Sequence, residues 1–317
     1  MKMRTLSTST TAKLFATGFT VGPIVDSLHN QCLLRYDFLP ISLEWPAVFQ
    51  RNHNDLVDIA VSGSIGIDGI GGTAVCNYPY IFCSSWVVPP LLGFAYIVLG
   101  GVLPRIVESA ITYLPQKNIN KHSLAELSLK QEWSPCPSHQ LRTRALLAVA
   151  TTAMIIKLSE FLETHPELFD NYGILRNHLE PASLSLIAMV VAAIFQWLLL
   201  DRSIIALLVA TMTAIGGPLA ELPFVGHGVW TYIEEAADYF PLQNIFSGTA
   251  SYSTAIAGNG LYLEALQTLF GTINYQDLAL SSITGPCYFA VAMDAIALGR
   301  WFDSSAPESI KSQDTNL

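Results

Sequence analysis

Acidic residues inside apolar segments are the first candidates for chemistry in this sequence. Asp26, Glu221 and Asp294 each lie within a run of mostly apolar residues. An ionisable side chain at membrane depth is costly, so such residues commonly mark a proton relay or a cation site. These acids support one hypothesis, that the chain is a multi-span transporter or a membrane enzyme. Lys157 and Glu160 are instead spaced to pair along one face of a helix.

Other patterns for catalysis or metal binding are missing from the sequence. Its seven histidines include no His-Glu-x-x-His and no His-x-x-x-His pair of the kind that binds metals on a helix. The glycine-rich run 66–72 is not followed by a helical pattern, so it does not match a dinucleotide fingerprint. No nucleophile–base arrangement can be read. We therefore expect no bound metal, no cofactor and no enzymatic activity.

The composition is that of a membrane protein. The chain is 51% hydrophobic and 13% charged, whereas soluble domains carry about 25% charged residues. Its net charge of −9 argues against nucleic acid as a partner, because binding DNA or RNA needs clustered lysine and arginine. The partner implied by the composition is membrane lipid.

We predict an all-α, polytopic membrane helix bundle with about six transmembrane helices. At about 1.5 Å per residue, a segment of about 20 apolar residues crosses the hydrocarbon core of a bilayer. The predicted spans are 11–28, 85–106, 143–162, 181–200, 203–225 and 278–302. Two long insertions, 35–84 and 240–277, and a polar tail, 303–317, complete the chain. An amphiphilic piece at 261–266 predicts an interfacial or re-entrant helix.

Lysine and arginine fall mostly on one side of this arrangement. By the positive-inside rule that side is cytosolic, which places both termini and Asp201 in the cytosol. Lys117, Lys121 and Lys130 then lie in a cytosolic loop, where they are available to ubiquitin. The segment 1–13 is basic, rich in Ser and Thr, and free of acids, which is also typical of a transit peptide. A plastid membrane is therefore an alternative location.

Three short blocks of sequence carry a family resemblance. They are Ser-Trp-Val-Val-Pro-Pro-Leu-Leu-Gly from Ser85, Trp-Leu-Leu-Leu-Asp-Arg-Ser from Trp197, and Gly-Pro-Cys-Tyr-Phe from Gly285 with Ile-Ala-Leu-Gly-Arg from Ile296. In order and position they resemble the insulin-induced gene (Insig) family of endoplasmic-reticulum sterol regulators. The resemblance departs at Leu184, where the family has a glutamine. The structural residues that it carries over are Trp86, Pro89, Pro90, Gly93, Pro286, Cys287, Gly299 and Arg300.

The resemblance implies a non-catalytic regulator in the endoplasmic-reticulum membrane. Such a protein binds a sterol or oxysterol and retains or presents sterol-sensing membrane proteins. Asp201 and Arg202 are the implied partner contacts. Asp201 ends a helix, where the dipole disfavours a carboxylate, and we expect Arg202 to offset it.

A plain membrane boundary at Asp201 is the alternative to a partner contact. Trp197 is the implied wall of the sterol site, since a flat ring stacks well on an indole, and an interfacial anchor is the alternative. The small residues Ala188 and Ala192 would let a sterol face approach.

Overall fold

The computed structural model describes residues 6–30, 33–44, 80–113, 138–165, 168, 181–234, 236–243, 260–272 and 274–305. Within these ranges the chain is mostly helical. The helices are α1 (Thr8–Asn30), α2 (88–113), α3 (Ser138–Thr164), α4 (Pro181–Leu200), α5 (Ile204–Gly226), α6 (Gly260–Phe270) and α7 (Thr284–Ser304). Helix α2 is continuous but contains a π-helical turn, Val98–Val102, between Val88–Ile97 and Leu103–Tyr113.

A long helix lies at each predicted span. Helix α4 has the predicted bounds, and α2 begins three residues later than predicted because Pro89 and Pro90 occupy its first turn. Proline fits that position, since the first amides of a helix have no partner within it. In the described part of the chain, 4 helices are long and apolar enough to cross a membrane: Val88–Ile111, His139–Thr164, Pro181–Leu200 and Ile204–Gly226.

The outer surface of these helices is apolar. Phe94 on α2, Met154 on α3, Phe195 on α4 and Ile215 on α5 all present large exposed side chains. Exposed apolar surface on this scale is unfavourable in water and favourable against lipid tails. Length, composition and surface together indicate a helical membrane protein.

Lys157 and Glu160 form the predicted ion pair on α3.

Helix α7 is the centre of the bundle. Most of its side chains are buried, and it packs against α1, α2, α3, α4 and α5. Around it the neighbouring helices contact one another in the order α4, α3, α1, α2, α5. The ring is not closed between α5 and α4, because these consecutive helices pack against α7 rather than closely against each other. The bundle therefore has a lateral gap.

Glycines allow the closest helix contacts. A Cβ at Gly93 would lie 2.7 Å from the ring of Phe15, so α1 approaches α2 only because this position has no side chain. In the same way, a Cβ at Gly299 would overlap the carbonyl of Gly100. Gly100 lies in the π-helical turn of α2, and Gly299 belongs to the third sequence block. Small residues at such crossings let helices pack by van der Waals contact in a membrane.

Short strands at one end of the bundle correct the all-α prediction. Strand β1 (Leu34–Tyr36) pairs with β4 (Trp230–Tyr232), and β2 (Pro40–Glu44) pairs with β3 (Tyr80–Ser85), both antiparallel. They lie where α1 and α5 end and where α2 and α7 begin. Part of the predicted insertion 35–84 is thus structured, and its Tyr36 packs in a cluster with Leu222, Val225 and Trp230 at the end of α5.

The remaining predictions concern the amphiphilic piece at 261–266, the loop lysines and the polar tail. The amphiphilic piece at 261–266 lies in α6, a helix of 11 residues that packs against the end of α5. That length is about half of what a membrane crossing needs, and its interfacial location stays a prediction. Lys117, Lys121, Lys130 and residues 306–317 lie outside the described residues.

Candidate functional site

The turn between α4 and α5 consists of Asp201, Arg202 and Ser203. The backbone amides of Asp201 and Arg202 donate to the carbonyl of Trp197 at 3.1 and 3.0 Å, which closes the last turn of α4. Arg202 has a φ of 58°, in the left-handed region that reverses the chain. The Ser203 hydroxyl then caps α5 by accepting from the amide of Ala206 at 3.1 Å. Each residue of this block therefore has a defined local role.

The carboxylate of Asp201 pairs with Arg300 of α7. Arg300 Nη1 lies 2.5 Å from Asp201 Oδ2, and the two side chains are 29% and 11% exposed. The Ser203 hydroxyl donates to Asp201 at 2.8 Å and accepts from Arg300 at 3.3 Å. We refer to Asp201, Ser203 and Arg300 as the Asp201 cluster. It joins the second sequence block to the end of the third.

Arg202 lies at the end of its own helix and does not pair with Asp201. Its side chain is exposed, and its Nε donates to the carbonyl of Leu198 at 2.7 Å. The left-handed backbone lays the guanidinium along the end of its own helix, and the counter-charge to Asp201 comes from Arg300. Arg202 therefore remains an accessible cation beside the cluster, and its contact with a partner stays a prediction.

Trp197 helps to hold the same turn. Its indole Nε1 donates to the carbonyl of Ser203 at 2.9 Å, and the side chain is half-buried. The bond ties the last turn of α4 to the start of α5. The polar edge of the ring is thus engaged within the protein.

A cavity of about 590 Å³ occupies the gap between α4, α5 and α7. It is lined by Leu186, Val190, Ala193, Ile194, Leu207, Thr211, Ala214, Ile215, Pro218, Leu219, Tyr239, Ser281, Ser282, Gly285, Pro286 and Phe289. Exposed side chains on both rims, Val190 and Ile194 of α4 and Ile215 and Leu219 of α5, show that it opens sideways between these helices. The opening faces the side on which lipid would lie.

One end of the cavity is polar. Tyr239, Ser281 and Ser282 line it just before α7 begins. The Ser281 hydroxyl donates to Glu163 Oε1 at 2.8 Å, and the Ser282 hydroxyl donates to Asp238 Oδ2 at 2.7 Å. The remaining walls are almost entirely aliphatic or aromatic. A ligand that matches this lining would have an apolar body and one polar end.

The predicted sterol residues do not line this cavity. Ala188 and Ala192 pack instead toward α3, in a cluster with Ile155 and Ile156. Trp197 is also absent from the lining. A one-residue step along α4 separates Ala192 from Ala193, which does face the cavity, because adjacent helical positions lie on different faces. Sterol contact by Ala188, Ala192 and Trp197 stays a prediction.

The structural residues that the family resemblance carries over lie in different parts of the fold. Trp86 is exposed just before α2, whereas Pro89 is buried and Pro90 half-buried in its first turn. Pro286 lies in the floor of the cavity, and Cys287 is buried in the cluster against α3. The second and third blocks therefore meet at the Asp201 cluster, and of the three blocks only the third lines the cavity.

Asp26, Glu221 and Asp294 each have a tyrosine partner. Asp294, only 2% exposed, accepts from Tyr96 at 2.7 Å through Oδ2, while its Oδ1 has no hydrogen-bond partner within the described residues. Asp26 accepts from Tyr36 at 3.4 Å.

Glu221 accepts from two phenols, Tyr232 at 2.9 Å and Tyr288 at 2.6 Å. Burial and the neighbouring Glu221 carboxylate raise the pKa of Tyr232 well above its ordinary value, so this phenol keeps the proton that it donates. In the described part of the chain, no three His, Cys, Asp or Glu side chains are grouped to hold a metal ion. Each of the three acids therefore accepts from a different tyrosine or pair of tyrosines.

Gln196 is a buried polar residue that sequence reasoning missed. Its amide nitrogen donates to the hydroxyls of Thr151 and Thr152 at 3.1 and 2.9 Å, and Thr152 donates to the carbonyl of Ala290 at 3.0 Å. This chain of bonds connects α4, α3 and α7. A glutamine in the otherwise apolar segment 181–200 was the available signal, because an amide in lipid needs partners.

Comparison of the chain with protein-family models, with curated proteins and with solved structures found no match in any of the three. The Insig resemblance therefore rests on the three sequence blocks.

Proposed function

We propose that this protein is an endoplasmic-reticulum membrane regulator of sterol homeostasis. It binds a sterol or oxysterol in the cavity between α4, α5 and α7, and it retains or presents sterol-sensing membrane proteins. The cavity is the observation that carries the proposal. Its volume of about 590 Å³ falls within the range of about 300–1,000 Å³ for small-molecule sites. Its apolar walls and lateral opening suit a rigid lipid that enters from the bilayer.

The Asp201 cluster supports a link between ligand and partner. The three helices that surround the cavity are the same three that the cluster joins, because Asp201 ends α4, Ser203 starts α5 and Arg300 lies in α7. A ligand that fits one spacing of these helices better than another favours that spacing by its difference in affinity. Partner binding at the Asp201 end would then respond to sterol.

The proposal includes a topology with six crossings and both termini in the cytosol. Helices α1 and α7 are the two crossings beyond the four apolar helices. Helix α7 can carry Asp294 and Arg300 because other helices surround most of it, so its side chains meet protein rather than lipid. Ionisable residues in membrane proteins commonly face the interior of the bundle in this way.

A transporter or membrane enzyme is the second candidate. The observation that favours it is the buried, half-satisfied carboxylate of Asp294. Against it, Asp26, Glu221 and Asp294 are engaged by separate tyrosines, and none of them lines the cavity between α4, α5 and α7. A proton or cation path would need these acids to be connected.

The test is saturable binding of a radiolabelled oxysterol to the purified full-length protein, with an Asp201→Ala variant measured in parallel. We expect the wild type to bind, and Asp201→Ala to keep ligand binding while losing sterol-dependent capture of a sterol-sensing membrane protein. An absence of saturable oxysterol binding by the folded protein would contradict the proposal. Partner capture unchanged by Asp201→Ala would contradict the role of the Asp201 cluster.

A further inference from the structure

We infer that the cavity between α4, α5 and α7 selects an uncharged lipid that carries a hydroxyl group, and that this hydroxyl sits between Tyr239 and Ser282. The inference rests on the proposed function, because it assumes that the cavity holds a lipid. It goes further by naming the ligand's polar group, its orientation and the class of lipid that is rejected.

The hydrogen-bonding groups at the polar end match a hydroxyl. The Ser282 hydroxyl uses its hydrogen on Asp238, so its oxygen is left to accept. The Tyr239 phenol has no hydrogen-bond partner within the described residues, and its backbone pairs with Leu280 on both sides. A ligand hydroxyl both donates and accepts, so it can donate to Ser282 and accept from Tyr239.

The charges at this end reject an anion. The carboxylates of Asp238 and Glu163 lie directly behind Ser282 and Ser281, and no lysine or arginine is among the residues that line the cavity in the described structure. A helix N-terminus usually attracts anions, and α7 begins here. The amide of Ser282, however, already donates to Asp238 Oδ1 at 2.7 Å. The protein's own carboxylate therefore fills the position that a fatty acid or phosphate would need.

The rest of the cavity fixes the orientation. Thr211 is the hydroxyl-bearing lining residue away from this end, and the other walls, among them Leu186, Ala193, Leu207 and Phe289, are apolar. The apolar body of the ligand consequently extends from the Tyr239 end along α4 and α5. Its far end approaches the α4–α5 turn that carries the Asp201 cluster.

The experiment compares photoreactive probes of equal chain length on the full-length protein in lipid nanodiscs. Photoreactive hexadecanol and photoreactive palmitate differ only in the polar group, and cholesterol and its 3-methyl ether serve as competitors. We expect hexadecanol to label peptides that line the cavity, palmitate to label them weakly, and cholesterol to compete better than the ether. Tyr239→Phe with Ser282→Ala should weaken labelling about tenfold, as expected for two lost hydrogen bonds.

The matched control is Thr213→Val, which removes a hydroxyl of α5 that does not line the cavity and should leave labelling unchanged. Tyr239→Phe alone alters an exposed side chain, so it tests the inference even if the double variant does not fold. Equal labelling by palmitate, or equal competition by the ether, overturns the inference.

The two proposals fail in distinguishable ways. Labelling by hexadecanol that cholesterol does not displace would sustain the hydroxyl-lipid inference and contradict the sterol function. Cholesterol binding that is unchanged in Tyr239→Phe, with equal competition by the 3-methyl ether, would sustain the sterol function and contradict the inference. Labelling of the cavity by neither neutral probe, with the protein folded, contradicts both.

Discussion

Asp201 Oδ2 and Arg300 Nη1 lie 2.5 Å apart, and this ion pair fastens the end of α4 to the central helix α7. The two residues come from sequence blocks that were identified separately. Ser203 completes the contact and at the same time caps α5. The ends of the helices around the cavity are thus joined through one group of side chains.

A double-mutant cycle measures this ion pair. Asp201→Asn and Arg300→Gln each remove one charge of the pair at a mostly buried position, so each should lower the free energy of unfolding. We expect a coupling energy of about 1–3 kcal/mol, between the values for exposed and fully buried pairs. Thermal unfolding of the purified protein in detergent gives the four values. If the losses in unfolding free energy of the two single variants add up to that of the double variant within about 0.5 kcal/mol, the ion pair has no coupling energy.

Arg202 should be replaceable without harm to the fold. Its φ of 58° is disfavoured for a residue with a Cβ, and its side chain bonds only a carbonyl of its own helix among the described residues. Glycine adopts this conformation freely, so Arg202→Gly should raise the free energy of unfolding or leave it unchanged. The same thermal assay measures it. A loss comparable to that of Arg300→Gln would mean that Arg202 has a structural role.

Gly299 should not tolerate even one methyl group. Because its Cβ would overlap the carbonyl of Gly100, Gly299→Ala must separate α7 from α2, at a cost of about 1–3 kcal/mol. The matched control is Gly216→Ala on α5, where a Cβ would meet nothing within 4 Å. That change should stabilise the helix by up to about 1 kcal/mol. Equal effects of the two substitutions would contradict the close α2–α7 contact.

The Tyr96–Asp294 bond should matter for stability rather than for ligand binding. Tyr96→Phe removes the donor that satisfies a carboxylate only 2% exposed, and it should destabilise the protein by about 1–3 kcal/mol. Asp294→Leu added to Tyr96→Phe should recover part of the loss, since neither polar group then lacks a partner. Thermal unfolding and oxysterol binding are measured together. Loss of oxysterol binding with unchanged stability would contradict this prediction and would place the Tyr96–Asp294 pair at the ligand site.

The positions of the helices were predictable from the sequence because a membrane crossing needs a long apolar run and because proline is favoured in the first turn of a helix. An uncharged run of 20 residues gave the bounds of α4, and Pro89 and Pro90 marked the first turn of α2. The hydropathy of α7 is a weaker signal, since protein rather than lipid surrounds Asp294. The apolar segment 278–302 nevertheless indicated its position, although α7 begins six residues later, at Thr284.

The candidate site was less predictable because it depends on distant contacts. Nothing in the spacing of residues showed that Arg300, rather than its neighbour Arg202, pairs with Asp201. The cavity depends on two consecutive helices, α4 and α5, diverging from their shared turn. Consecutive helices usually pack together, so a sequence pattern gives no sign of such a gap.

Filling the cavity tests the central claim most directly. Thr211→Trp places a large ring in the lining from an exposed position, whereas Met212→Trp places the same ring on α5 at an exposed position that does not line the cavity. Saturable oxysterol binding is measured for both variants and for the wild type. We predict that Thr211→Trp abolishes binding while Met212→Trp leaves it unchanged. Binding that survives Thr211→Trp in a folded protein would contradict a sterol site between α4, α5 and α7.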